Sequence, residues 1–116
     1  MKKEIKELIN KKIISIENID NEELIFECDN GNKYKMYHKQ DCCEEVRIED
    51  ITGSLDNLLN SMLIMAEEVS ESSDTDWGRC TWTFYKFATV KGYVTIRWYG
   101  ESNGYYSEEV DIIKIK

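Results

Sequence analysis

Proline is absent from this chain of 116 residues, histidine occurs once and glycine only six times. Neither a linker nor an internal repeat divides it. No apolar run approaches the ~20 residues that a membrane-spanning helix requires. The charged start, Met1-Lys2-Lys3-Glu4, is not the pattern of a secretory signal. Positive charge is also scarce: 15 Lys and Arg stand against 23 Asp and Glu, a formal net charge of −8. That deficit excludes the basic footprint on which direct nucleic-acid binding depends. A Gly-rich phosphate loop and a Ser-centred nucleophile elbow are both missing, and with them the commonest local signatures of an enzyme.

What remains is a globular composition, 41% hydrophobic and 33% charged, of a size that buries one modest core. A single domain spanning residues 1–116 is expected. Ile5, Leu8 and Ile9 recur at helical spacing over 3–12, with Lys and Glu on the other face. Ile14 and Ile16 then alternate with Ser15 and Glu17, and Leu24, Phe26 and Cys28 with Ile25 and Glu27, as in half-buried strands. Asp29-Asn30-Gly31-Asn32 is a hairpin turn, and Tyr34, Met36 and His38 share a face of the return strand. After an interruption at 39–43, Val46 and Ile48 alternate with Glu45, Arg47 and Glu49. Ser54 is a helix N-cap with Leu55, Leu58 and Leu59 behind it. The run 62–66 suits a buried helix or a buried strand equally. The polar stretch 70–76 reads as a mobile loop. From Thr81 onward two hairpins follow, and Tyr105 to Ile115 closes a meander. The fold class is α+β, mainly antiparallel sheet with an N-terminal helix and one short middle helix.

The four cysteines are Cys28, Cys42, Cys43 and Cys80. In the reducing cytoplasm expected here, structural disulfides are rare. Adjacent Cys42 and Cys43 are not expected to bridge each other, because disulfide geometry prefers Cα atoms ~5.5 Å apart. They are free thiols or metal ligands. His38 and Cys42 lie four residues apart across a loop, within reach of one ion, and Cys80 opens a strand that could add a donor from across the sheet. Cys28, beside Phe26, suits the core better. The plain alternative is a buried histidine with thiols as small core residues. A Cys-His nucleophile would need an oriented base and an oxyanion hole, and no enzyme is expected.

Two stretches, 41–50 and 67–76, hold much of the negative charge. Trp77 sits among Asp74 and Asp76, and Glu44, Glu45 and Glu49 crowd the other stretch. An aromatic anchor flanked by carboxylates suits a basic protein surface. A Trp folded over the sheet edge, and carboxylates that merely solvate a face, are the competing readings.

Three strings of this sequence resemble the signature of a small uncharacterised family carried by phages and mobile elements. They are His38-Lys39-Gln40-Asp41-Cys42-Cys43-Glu44-Glu45-Val46-Arg47-Ile48-Glu49-Asp50-Ile51, Asp76-Trp77-Gly78-Arg79-Cys80-Thr81-Trp82-Thr83-Phe84-Tyr85, and Arg97-Trp98-Tyr99-Gly100-Glu101-Ser102-Asn103-Gly104-Tyr105-Tyr106. The N-terminal helix lies outside them. Small acidic phage proteins similar to this one include type II-A anti-CRISPR proteins, which inhibit Cas9. The resemblance therefore implies Cas9 as partner and the host bacterial cytoplasm as location. It also implies a structural Zn2+ held by His38, Cys42, Cys43 and Cys80, since Cys80 falls inside the second string. The other reading is a metal-dependent small enzyme or small-molecule binder built on the His38–Cys42 cluster. Where such relatives carry Pro near position 62, this chain has Met62. The expectation is a short helix at 54–60 and then a strand.

Overall fold

A computed structural model describes residues 3–116. Helix α1, Lys3–Leu8, turns Ile5 and Leu8 into the core. It ends before Lys12 because Asn10 adopts a left-handed conformation, φ 71°. The backbone then pairs outward instead of winding on: Asn10 N–H donates to the Leu63 carbonyl at 2.8 Å, and Leu63 N–H to that of Lys11 at 2.9 Å.

Strands β1 (Ile13–Ile19), β2 (Glu23–Cys28) and β3 (Lys33–Tyr37) follow as antiparallel hairpins. Asp20 and Asn21 both take positive φ in the first turn, the twist that a two-residue hairpin favours. A bulge between Ile13 and Ser15 breaks the expected alternation: Ile13 and Ile16 face inward and Ile14 is exposed. Strand β4 spans Glu45–Thr52, with a bulge between Ile48 and Asp50. The middle helix is only a 3-10 turn, Leu55–Leu58, whose Ser54 hydroxyl accepts the Asp56 N–H. Strands β5 (Met65–Thr75), β6 (Gly78–Thr89) and β7 (Gly92–Ser102) are long hairpins, and β8 is Asp111–Lys114.

Two further expectations fail here. Residues 70–76 form no loop: the stretch continues β5 to Thr75, paired residue for residue with β6. Its polarity reflects an edge strand wet on both faces, and the aromatic partner strand overrides its weak strand propensity. Nor does the C-terminus close a meander. The chain leaves β7, crosses the end of the molecule and adds β8 to β3.

The result is two four-stranded antiparallel sheets, ordered β1-β2-β3-β8 and β4-β7-β6-β5. Their facing sides form the core. Leu24, Phe26, Tyr34 and Met36 of the first sheet meet Ile48, Tyr85, Phe87, Val94, Ile96 and Trp98 of the second. Phe26 and Phe87 join the layers at 6.0 Å between ring centroids. The Trp98 indole N–H points at Met36 Sδ, 3.1 Å away. Cys28 is buried beside them. Among the described residues, no helix is long and apolar enough to cross a membrane.

Candidate functional site

The loop between β3 and β4 is organised around one carboxylate. Glu44 is fully buried and accepts the backbone N–H groups of Asp41 and Cys42, both at 2.9 Å. His38 Nε2–H donates to its Oε2 at 2.7 Å, and Gln40 Nε2 spans the Cys42 and Glu44 carbonyls at 3.1 and 2.6 Å. Burial would push this carboxyl up. The hydrogen bonds from Cys42, His38 and Asp41 outweigh it and hold the group at about 2. The other histidine nitrogen, Nδ1, lies 2.6 Å from the Glu109 carbonyl. Both ring nitrogens thus face oxygen acceptors, and the imidazole ties the loop to the 103–110 crossover. Glu44 is therefore not the surface residue expected to meet a partner. It is the internal anchor of its loop.

Cys42 and Cys43 are bonded to each other, with Cα atoms 3.7 Å apart, contrary to the expectation for neighbours. The tight wrap of residues 41–44 about the Glu44 carboxylate brings the two side chains together. Cys80 is buried on β6, opposite Glu101 of β7, which separates it from Glu45 of β4. That places it about 10 Å, two strand spacings, from the loop's end. In this arrangement both His38 nitrogens and two of the sulfurs are already committed. Among the described residues, no three His, Cys, Asp or Glu side chains converge as a metal site. The four donors do not fit a zinc ion as they stand.

A second carboxylate hub lies at the same end of the molecule. Glu108, on the crossover, accepts from Arg79 Nε (3.1 Å), the Thr81 hydroxyl (2.9 Å) and the Ser102 hydroxyl (2.6 Å). Burial raises its carboxyl, but Arg79, Ser102 and Thr81 lower it further than burial raises it. Gly100 makes the approach possible: a Cβ there would stand 2.8 Å from Glu108 Cβ and 2.9 Å from Val46 Cγ2. No local motif announces this hub, since Arg79 and Glu108 are far apart in sequence. The available signal was a lone glycine inside an aromatic strand, which marks a close approach. Between β5, β6 and the crossover lies a polar cleft of about 270 Å3, lined by Ser70, Ser72, Arg79, Thr81 and Glu108 among others.

The outer face of the β4-β7-β6-β5 sheet carries the remaining predicted residues. Cross-strand register places Glu45 beside Glu101, Arg47 beside Tyr99 and Asp50 beside Arg97. Trp82 pairs with Tyr99, rings 5.3 Å apart, and Glu71 with Trp82. Phe84 lies one row on, beside Arg97. Glu49 forms an ion pair with Arg97 at 2.7 Å. Burial, then the hydrogen bond to Glu101, pushes the Tyr99 hydroxyl up to about 12. Trp77 does not fold over the sheet edge. It sits at the β5–β6 turn, 62% exposed, with Asp76 beside it and Asp74 exposed at the strand end. Trp77 and Glu45 share a groove with Cys43, Glu101 and Tyr106, so the two acidic stretches meet at one end of this face.

No curated protein and no solved structure matches the chain. Residues 6–112 match the family model described as a domain of unknown function, DUF7448, and the chain belongs to that family.

Proposed function

We propose that this protein is a binding protein, not an enzyme, that inhibits a host defence nuclease by occupying a basic protein surface in the bacterial cytoplasm. Cas9 of a type II-A system is the partner that the sequence resemblance implies. The observation that supports the reading is the outer face of the β4-β7-β6-β5 sheet, where Trp82, Tyr99 and Phe84 stand among Glu71 of β5, Glu101 of β7 and Glu45 and Asp50 of β4, with Arg47 and Arg97 interleaved. Aromatic anchors inside a charged rim are the composition of interface hot spots. Excess negative charge speeds encounter with a positive partner. Cas9 holds its guide and target in positively charged channels, and a protein docked there blocks DNA loading or cleavage without chemistry. Purified protein is titrated into Cas9 cleavage and target-binding assays at two salt concentrations. Inhibition that weakens at high salt is expected. Unchanged cleavage at large molar excess across several orthologues overturns the reading.

A second reading, a structural Zn2+ held by His38, Cys42, Cys43 and Cys80, belongs to the reduced chain, in which the Cys42–Cys43 bond is open. Elemental analysis of protein purified under reducing conditions without chelator, followed by Cys42→Ala, tests it. Metal content and stability should fall together. The reading of a metal-dependent enzyme or small-molecule binder is favoured by the cleft of about 320 Å3 beside His38, Lys39, Asp41 and Glu44. The engagement of both imidazole nitrogens argues against His38 as a free base there.

A further inference from the structure

The two sheets have four edges, and three of them are blunted. β1 carries a bulge. β4 carries another, and its Ile48 N–H is taken by the Asn21 carbonyl. β8 is four residues long. The fourth edge, β5, has none of these devices. It runs eleven residues and, among the described residues, pairs with β6 alone, without a register shift from Met65↔Ala88 to Thr75↔Gly78. It contains neither Pro nor Lys, and the only charge that guards it is acidic. Helix α1 packs against β5, yet every residue from Val69 to Asp74 is exposed. An edge of this length offers a row of backbone donors and acceptors to an added strand.

Charge chooses the occupant. β5 carries Glu67, Glu68, Glu71 and Asp74 and no basic residue, and Asp76 follows in the turn. A second copy of this chain pairing edge to edge would set carboxylates against carboxylates, which is destabilising for directly opposed like charges. We propose that β5 is a strand-addition edge, on which an extended, lysine- or arginine-rich segment of a partner protein pairs as the fifth strand of this sheet. The proposal deepens the basic-partner reading above and rests on it. Alternation fixes what the added strand presents. On the outer face β5 shows Glu67, Val69 and Glu71, which ask for a Lys-x-Val-x-Lys pattern in either strand direction. On the other face Glu68 accepts the Tyr85 hydroxyl, and Ser70 and Ser72 open beside it onto the polar cleft, where small hydroxyl side chains fit.

The probe is a synthetic Thr-Lys-Thr-Val-Thr-Lys-Thr peptide, titrated into the full chain labelled for NMR. Backbone amides of 67–75 should shift and gain hydrogen-exchange protection. Three comparisons should each weaken binding by about tenfold or more: the peptide with Glu for Lys, the same peptide N-methylated at alternate residues, and the E67Q/E71Q variant, whose exposed positions leave the fold intact. If the Lys peptide binds but N-methylation costs nothing and the β5 amides are unprotected, strand addition is overturned while the basic-partner reading stands. If β5 captures a second copy of the chain instead, the charge argument is overturned. If neither the peptide nor a basic protein binds, both readings fall.

Discussion

His38 Nε2 and Glu44 Oε2 stand 2.7 Å apart, with side chains 4% and 0% exposed, and this pair fixes the loop that joins the two sheets. One partner is held by a carbonyl on the crossover, the other by two amides of its own loop. Removing the carboxylate strands three donors at once. Glu44→Ala should cost about 3 kcal/mol, the scale of leaving buried donors without their acceptor, read as a lowered urea midpoint. A midpoint within error of the wild type would contradict the account of Glu44 as the loop's anchor.

Acid should expose the same dependence. Glu44 titrates at about 2 in the folded protein, below its ordinary 4.5, so the unfolded chain binds the proton first as pH falls. The stabilisation is full above the ordinary value and drains away between roughly pH 4.5 and 2. Glu108, also lowered, adds to the loss in the same direction. Urea midpoints measured at pH 6, 4, 3 and 2 should fall more steeply for the wild type than for E44Q. Parallel curves would remove Glu44 from the acid response.

The Arg79–Glu108 pair is uneven: the carboxylate is 1% exposed and the guanidinium side chain 44%. Solvent screening on the arginine side reduces what the ion pair itself contributes. Arg79→Ala nevertheless leaves a buried carboxylate with only the Thr81 and Ser102 hydroxyls, at a cost of about 1–2 kcal/mol. R79A/E108Q should recover most of that loss. A double mutant as unstable as the sum of its singles would show that the two residues act independently.

Gly100→Ala should destabilise by about 1–3 kcal/mol, the usual range for overpacking. The new methyl meets Glu108 Cβ and Val46 Cγ2 inside 3 Å. Hydrogen exchange should show the loss first in the 103–110 crossover, because that segment must lift away. A neutral substitution would mean that the crossover is loosely held.

Two tryptophans should separate stability from binding. Trp98 is fully buried and touches Met36 across the core; Trp98→Ala should cost about 3–5 kcal/mol. Trp77, largely exposed on its turn, should change stability by less than about 0.5 kcal/mol when replaced by Ala. Binding to a basic partner should still weaken. Calorimetry of the fold and titration against the partner read the two effects apart.

Residue pattern by itself determined most of the strands. Leu24, Phe26 and Cys28 alternate inward as written, as do Val94, Ile96 and Trp98, because a period of two in hydrophobicity leaves a strand only one face to bury. The hairpin at 29–32 and the break at 39–43 were equally readable, since turn chemistry is local. Pairing at a distance was not. Nothing in the polar run 70–75 distinguishes a loop from an edge strand. Only β6, rich in aromatic and β-branched residues, makes extension the favourable state. Nothing near Tyr105 shows that β8 will leave its hairpin neighbours for β3. The acidic residues divide the same way. Sequence placed Glu44, Glu45 and Glu49 in one negative stretch. Tertiary structure buried the first under four hydrogen bonds, left the second beside Trp77 and paired the third with Arg97. Charge is written in the chain, but whether it faces solvent, a partner or an internal donor depends on which strands close around it.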